Sequence, residues 1–218
     1  MLLKLTCTLL LMTFGCGIMA QLPDSIQQKH FNDLGNAYIS KAKKNIKNLD
    51  SAFYFLRKSV YLVDSSNRFN YSATNVALEL LAAAYFQRGD TLQGQRILKQ
   101  VIGSYKRTGD KQREADAWYS QAQLLSRFCH DAGKLEYSFR YAARLYAEIG
   151  RIDQKISADY DIAHWHFVCG KQALAEREFE ELLNFVRLKK DPRLAQLLIA
   201  AAEIKRYAGS FLQGLSYA

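Results

Sequence analysis

The stretch from Leu78 to Gly109 constrains this chain more than any other. Leu78, Leu81, Ala82 and Tyr85 recur at +3, +4 and +7, the spacing that puts apolar side chains on one face of a helix. Gly89-Asp90 then interrupts the pattern, and Gly94, Leu98, Val101 and Tyr105 resume it until Gly109. Two amphipathic helices joined by a tight turn are expected, and neither can bury its apolar face alone.

The same pattern recurs along the chain. Phe31, Leu34, Gly35 and Tyr38 mark a first helix, with Ala52, Leu56 and Ser59 on its partner, which ends near Asp64. The connection between these two, Lys41 to Asp50, reads as a loop longer than the others. Trp118, Ala122 and Leu125 precede a turn at His130-Asp131-Ala132-Gly133, then Leu135, Phe139 and Ala142 follow. Ile162, Ala163, His166 and Gly170 precede Ala175, Phe179 and Leu182, and a fifth unit opens after Asp191-Pro192. Gly109, Gly150 and Asp191 stand 41 residues apart, so the unit is about forty residues long.

These units resemble the tetratricopeptide repeat, a helix–turn–helix element of about 34 residues. The resemblance rests on residues 31–218 and on agreement between units. Motif by motif it is degenerate, since Trp118 alone supplies the family's tryptophan, and Ala52, Gly94, Leu135 and Ala175 vary at the small position. It implies an all-α, right-handed α-solenoid of about five repeats over residues 21–218, the last incomplete. Longer repeats of this kind occur in the sensory and regulatory branches of the family. Stacked repeats need polar end caps. The chain stops at Ala218 on apolar residues (Phe211, Leu212, Leu215), so a piece of a longer protein is expected.

Residues 1–20 read as an export signal: Lys4, an apolar core from Leu5 to Phe14, and Ala20 before the cleavage point. Thr13 and Phe14 fit poorly before a lipidated Cys16. Cleavage leaves Cys129 and Cys169 in an extracytoplasmic protein. They fall at equivalent points of neighbouring repeats, roughly 8–10 Å apart, whereas a disulfide needs Cα atoms within about 7 Å. Two free, half-buried thiols are expected.

Lys and Arg outnumber Asp and Glu by 30 to 21, giving a net charge of +9. The basic residues are scattered, and the short clusters at Lys41–Lys44 and Arg187–Lys190 do not interleave with aromatics as a single-strand nucleic-acid platform would. No nucleic-acid partner is expected. No phosphate loop, zinc motif or nucleophile elbow occurs, so neither catalysis nor a cofactor is expected. His164 and His166 stand two apart and point in different directions on a helix. His166 takes the core position of Tyr38 and Tyr85, as a buried, hydrogen-bonded imidazole rather than a metal ligand. Glu176 to Glu181 reads as a solvated face paired with Arg177.

The family resemblance implies that the first helices line a concave groove. Its register assigns Asn32 and Asn36, then Glu79, Ala83 and Phe86, then Asp116, Tyr119, Gln123 and Ser126 with Arg127, and finally Tyr160, His164 and Phe167 to that groove. This polar and aromatic lining suits an extended peptide or a partner protein, and Arg127 favours an acidic ligand residue. The chaperone-binding clamp of the family is absent, because Asn32, Leu80 and Asp116 replace its lysine, asparagine and lysine. The expected role is an exported protein-interaction module. The alternative is the extracytoplasmic sensor portion of a signalling protein, linked to a membrane only through a part beyond Ala218.

Overall fold

The computed structural model describes residues 23–66, 71–128, 131–189, 191–193 and 197–202. The expected export signal with Cys16, the thiol of Cys129 and the apolar residues past 202 lie outside the described residues. Eight helices follow in order: α1 (Asp24–Ala42), α2 (Asn48–Ser66), α3 (Tyr71–Arg88), α4 (Thr91–Thr108), α5 (Lys111–Phe128), α6 (Ala132–Glu148), α7 (Ile152–Val168) and α8 (Gln172–Lys189). Residues 197–202 are helical again, and there is no strand among the described residues.

Glycine sets the punctuation. At the end of α3, Gly89 adopts φ 92°, a left-handed conformation that side chains disfavour. Its N–H donates to Phe86 O at 3.0 Å and the Asp90 N–H to Tyr85 O at 2.9 Å, which is the Schellman arrangement. The paired bonds recur at Gly109, Gly150 and Gly170, reaching back to Tyr105, Tyr146 and His166. Each break thus sits a fixed distance after a core aromatic ring. Aspartate then opens the next helix. Asp90 accepts from Gln93 N–H at 3.1 Å, Asp110 from Arg113 N–H at 3.1 Å and Asp131 from Lys134 N–H at 3.2 Å. The Lys134 N–H holds the Asp131 carboxyl below its usual range.

The connection after α1 is shorter than the sequence suggested. α1 runs on to Ala42 and α2 starts at Asn48, whose side-chain amide donates to Lys41 O at 3.3 Å. Helix therefore extends from both sides into the stretch Lys41–Asp50.

The chain forms two compact units, Met1–Ser104 and Tyr105–Ala218. In the first, α2 supplies Leu49, Ala52, Phe53 and Leu56 to the core, α3 supplies Ala77, Leu81, Ala82, Ala84 and Phe86, and α4 supplies Ile97, Leu98, Val101 and Ile102. Two glycines allow close approach: a Cβ on Gly35 would stand 2.5 Å from the Leu56 side chain, and one on Gly94 2.5 Å from Phe86. Three buried polar side chains tie helices together. Gln28 Nε2 donates to Ser59 O at 3.4 Å, Asn32 Nδ2 to Ala73 O at 3.3 Å and Asn75 Nδ2 to Ser104 Oγ at 3.1 Å.

In the second unit, Ala115, Ala142, Leu145 and Tyr146 form one apolar cluster, with Trp118 and Tyr141 against it. Ile156, Ala163, Phe179, Leu182, Leu183, Val186, Leu197 and Ala201 form another. Tyr105 and Tyr146 are buried, while Tyr38 and Tyr85, placed in the core by the sequence, are only half-buried. Arg193 fastens the turn after α8, donating to Asp191 Oδ2 at 2.6 Å and to Asp153 Oδ1 at 2.8 Å. Its hydrogen bonds hold the Asp191 carboxyl at about 2.

Candidate interaction face

The expected groove residues divide between surface and core. In the first unit Asn36 is exposed, and Glu79 and Ala83 are half-buried. Phe86 and Asn32 are corrections. Phe86 is fully enclosed, because Gly94 leaves room for its ring on the side facing α4. Asn32 is buried too, and its amide is committed to the backbone of α3. Neither side chain presents a surface to a ligand.

In the second unit the expected residues gather on α5 and α7. Tyr119, Gln123 and Arg127 follow at i, i+4 and i+8 on α5, and the last is exposed. Tyr119 Oη donates to Asp161 Oδ2 at 2.6 Å, which sets the two first helices side by side. Asp161 had escaped the sequence reading. Burial and then the Asp161 carboxylate push the Tyr119 phenol far up, against the pull of Gln123 and Arg127. On α7, His164 is exposed, with its ring stacked on Tyr160 at 6.0 Å and 12°. Tyr160 in turn stands edge-on to Phe179 at 5.5 Å. Phe167 packs against the second apolar cluster and is half-buried. Ser126 Oγ donates to Gln123 O at 2.8 Å.

Asp116 belongs to a different network. It accepts from Tyr146 Oη at 2.7 Å and from Gln112 Nε2 at 3.1 Å. Gln112 Oε1 accepts from Arg151 Nε at 2.9 Å. Its carboxylate therefore braces α6 and the start of α7 against α5. Burial followed by Asp116 raises the Tyr146 phenol strongly.

The two histidines separate as expected. His164 faces solvent, whereas His166 is wholly enclosed, with Nδ1 2.7 Å from Glu178 Oε2. Glu178 overturns the solvated reading of residues 176–181, since its side chain is only 11% exposed. Arg140 on α6 bonds both Glu178 at 2.8 Å and Glu136 at 3.0 Å. Cys169 carries a free thiol that is exposed rather than half-buried. Among the described residues, no three His, Cys, Asp or Glu side chains gather as a metal site requires. No helix of the described residues is long and apolar enough to cross a membrane.

No family model matches the sequence. No curated protein matches it either. Solved structures do match in fold. A Podosopora anserina protein assigned as a kinesin light chain, with nearly identical TPR-like repeats, superposes with a TM-score of 0.69 at 12% identity, covering 90% of this chain and 93% of that one. A variant of that protein gives the same figures. BtubC from P. vanneervenii superposes with a TM-score of 0.62 at 12% identity, over 91% of this chain and 89% of that one. The fold of this chain is therefore the all-α tetratricopeptide-like repeat solenoid.

Proposed function

We propose that this protein is an exported interaction module that binds a peptide or a segment of a partner protein on the α5–α7 face, by recognition and without catalysis. The observation that carries the reading is the Tyr119–Asp161 hydrogen bond, which aligns α5 with α7. Gln123, Arg127, Tyr160 and His164 then offer an amide, a fixed cation, an aromatic surface and an imidazole along two neighbouring helices. Such a mixture suits a ligand that brings its own main-chain donors and acceptors. Arg127 favours an acidic residue in that ligand. The fold supports the reading, because helical repeats present wide surfaces on a rigid frame. Export rests on the tripartite pattern of residues 1–20.

The test is a pull-down from envelope extract using wild type and an Arg127→Glu, His164→Ala double variant. Both side chains are exposed, so the fold should survive. Loss of a partner captured by wild type supports the face, and equal capture of the same partners by both proteins refutes it.

A further inference from the structure

The first unit carries an open cleft of about 600 Å³ lined by Asp50, Phe53, Tyr54, Arg57, Lys58, Tyr61 and Arg88. Most of this wall comes from one helix, α2, where Tyr54, Arg57, Lys58 and Tyr61 recur at i, i+3, i+4 and i+7 and so share a face. Arg88 closes the cleft from the last turn of α3.

The floor is Phe53, 4% exposed, and two guanidinium groups converge on its ring. Arg57 lies 5.7 Å and Arg88 4.8 Å from its centroid. Both are held in place: Arg57 Nη2 donates to Tyr85 Oη at 3.2 Å, and Arg88 Nη2 to Asp50 Oδ1 at 2.8 Å. Each of these bonds uses one of the five N–H donors of a guanidinium. The Lys58 ammonium stands 5.3 Å from both the Phe31 and the Tyr54 rings. Above this layer Tyr54 and Tyr61 are 56% and 69% exposed. The lining thus holds three cations, one carboxylate and two open phenol rings.

We propose that this cleft is a binding site, separate from the α5–α7 face, for an acidic extended segment of a partner protein that carries an apolar side chain between its carboxylates. Charge complementarity selects the acid. Among the described residues Arg57 and Lys58 have no carboxylate partner in the cleft, and pre-positioned guanidinium groups give short, directional bonds to carboxylates. The apolar side chain would settle on Tyr54 and Tyr61, and exposed tyrosine beside arginine is the composition that dominates binding energy at protein interfaces. Asp50 decides between a peptide and a nucleic-acid strand. A strand carries a phosphate at every step, and one would fall against this carboxylate. A peptide can instead offer Asp50 a main-chain N–H.

The experiment is fluorescence anisotropy with a labelled peptide, Asp-Glu-Leu-Asp-Glu-Leu, against the mature protein. Its Asn-Gln-Leu counterpart, oligothymidylate and phosphatidylserine vesicles are run in parallel. The acidic peptide should bind, and the amide counterpart at least about tenfold more weakly. Lys58→Glu and Tyr61→Ala, both at exposed positions, should each weaken the acidic peptide by about tenfold while leaving the thermal melt unchanged. Equal binding of both peptides, or unchanged binding in both variants, would overturn the proposal. So would displacement of the peptide by oligothymidylate or by vesicles, which would make the cleft a general anion surface. Loss in Arg127→Glu but not in Lys58→Glu would put the probe on the α5–α7 face and overturn the cleft alone.

Discussion

The imidazole of His166 lies with Nδ1 2.7 Å from Glu178 and Nε2 3.5 Å from Glu136. The ring is fully enclosed, so α7 is held to α6 and α8 through one side chain. The contact to Glu136 has ion-pair distance without hydrogen-bond geometry, since Nε2 has no hydrogen-bond partner. The bond to Glu178 therefore carries most of the attachment. Arg140 bridges the two carboxylates from the solvent side.

Replacing His166 with Leu should destabilise the second unit by about 1.5–3 kcal/mol, the range for a lost hydrogen bond to a charged group. Arg140 would still pair with Glu178, which keeps the loss below that of an abandoned buried charge. Urea denaturation measures it. Burial pushes the Glu136 carboxyl up, but Arg140 and His166 outweigh burial and leave it below its usual range. A depressed folded value adds stability that is present above the ordinary 4.5 and is lost as pH falls below it. Glu136→Gln should therefore flatten the decline in melting temperature on the acid side.

At the alkaline end the second unit should fail through its tyrosines. Burial and a neighbouring carboxylate raise both Tyr119 and Tyr146 above the ordinary 10.0. A raised folded value means that the folded state resists losing these protons while the unfolded chain does not. Stability is then fully present below pH 10.0 and falls as pH rises beyond it. Ultraviolet titration of the phenolates should show two tyrosines that ionise only on unfolding. Tyr119→Phe should remove one of them and cost about 1–3 kcal/mol, because Asp161 loses its donor. Ionisation of every tyrosine in the usual range, with the fold intact, would contradict the Tyr119–Asp161 and Tyr146–Asp116 bonds.

Gly94 should not accept a side chain. An added Cβ would meet the Phe86 ring at 2.5 and 2.7 Å, and Ala82 O at 3.1 Å. Overpacking of this kind costs about 1–3 kcal/mol, while alanine gains up to about 1 kcal/mol in helix propensity over glycine. The clash wins, so Gly94→Ala should lower the melting temperature. Adding Phe86→Leu should recover part of the loss, since it withdraws the atoms that clash. A double variant less stable than the sum of the single variants would show that the ring is not the obstacle.

The repeat frame was legible in the sequence because backbone constraint wrote it there. Gly89, Gly109, Gly150 and Gly170 recur where helices must end in a left-handed residue, and the ring four positions before each of them marks the core side of its helix. His166 could be placed by that rule, although it is polar. What the frame does not encode is partner choice across helices. Phe86 looked like a groove residue by register, yet the small side of Gly94 draws it inward. Glu178 looked solvated beside other glutamates, but an enclosed imidazole on the preceding helix claims it. Tyr119 and Asp161 stand 42 residues apart, about one repeat, and nothing local to either announces the bond. The basic and aromatic face of α2 was missed because Tyr54 and Tyr61 stand three positions either side of the short Arg57-Lys58 pair and Arg88 comes from another helix, so only the fold brings them together.

Trp118 separates packing from polar satisfaction. Its ring meets Tyr137 at 5.4 Å and 73° and Tyr141 at 5.0 Å and 44°, so it welds α5 to α6. The side chain is half-buried rather than enclosed, while Nε1 is buried without a hydrogen-bond partner. Replacing Trp118 with Ala should cost about 3 kcal/mol, the lower end for a large aromatic truncated to alanine. Replacing it with Phe keeps much of the aromatic contact and removes a donor whose burial is uncompensated, a penalty of about 1–3 kcal/mol in the native protein. Trp118→Phe should therefore fall within about 1 kcal/mol of wild type, set by the balance of lost area against the relieved donor. Chemical denaturation of both variants, followed by circular dichroism, gives the comparison. If Phe costs as much as Ala, the indole N–H makes a bond worth more than the ring, and a bridging water must hold it.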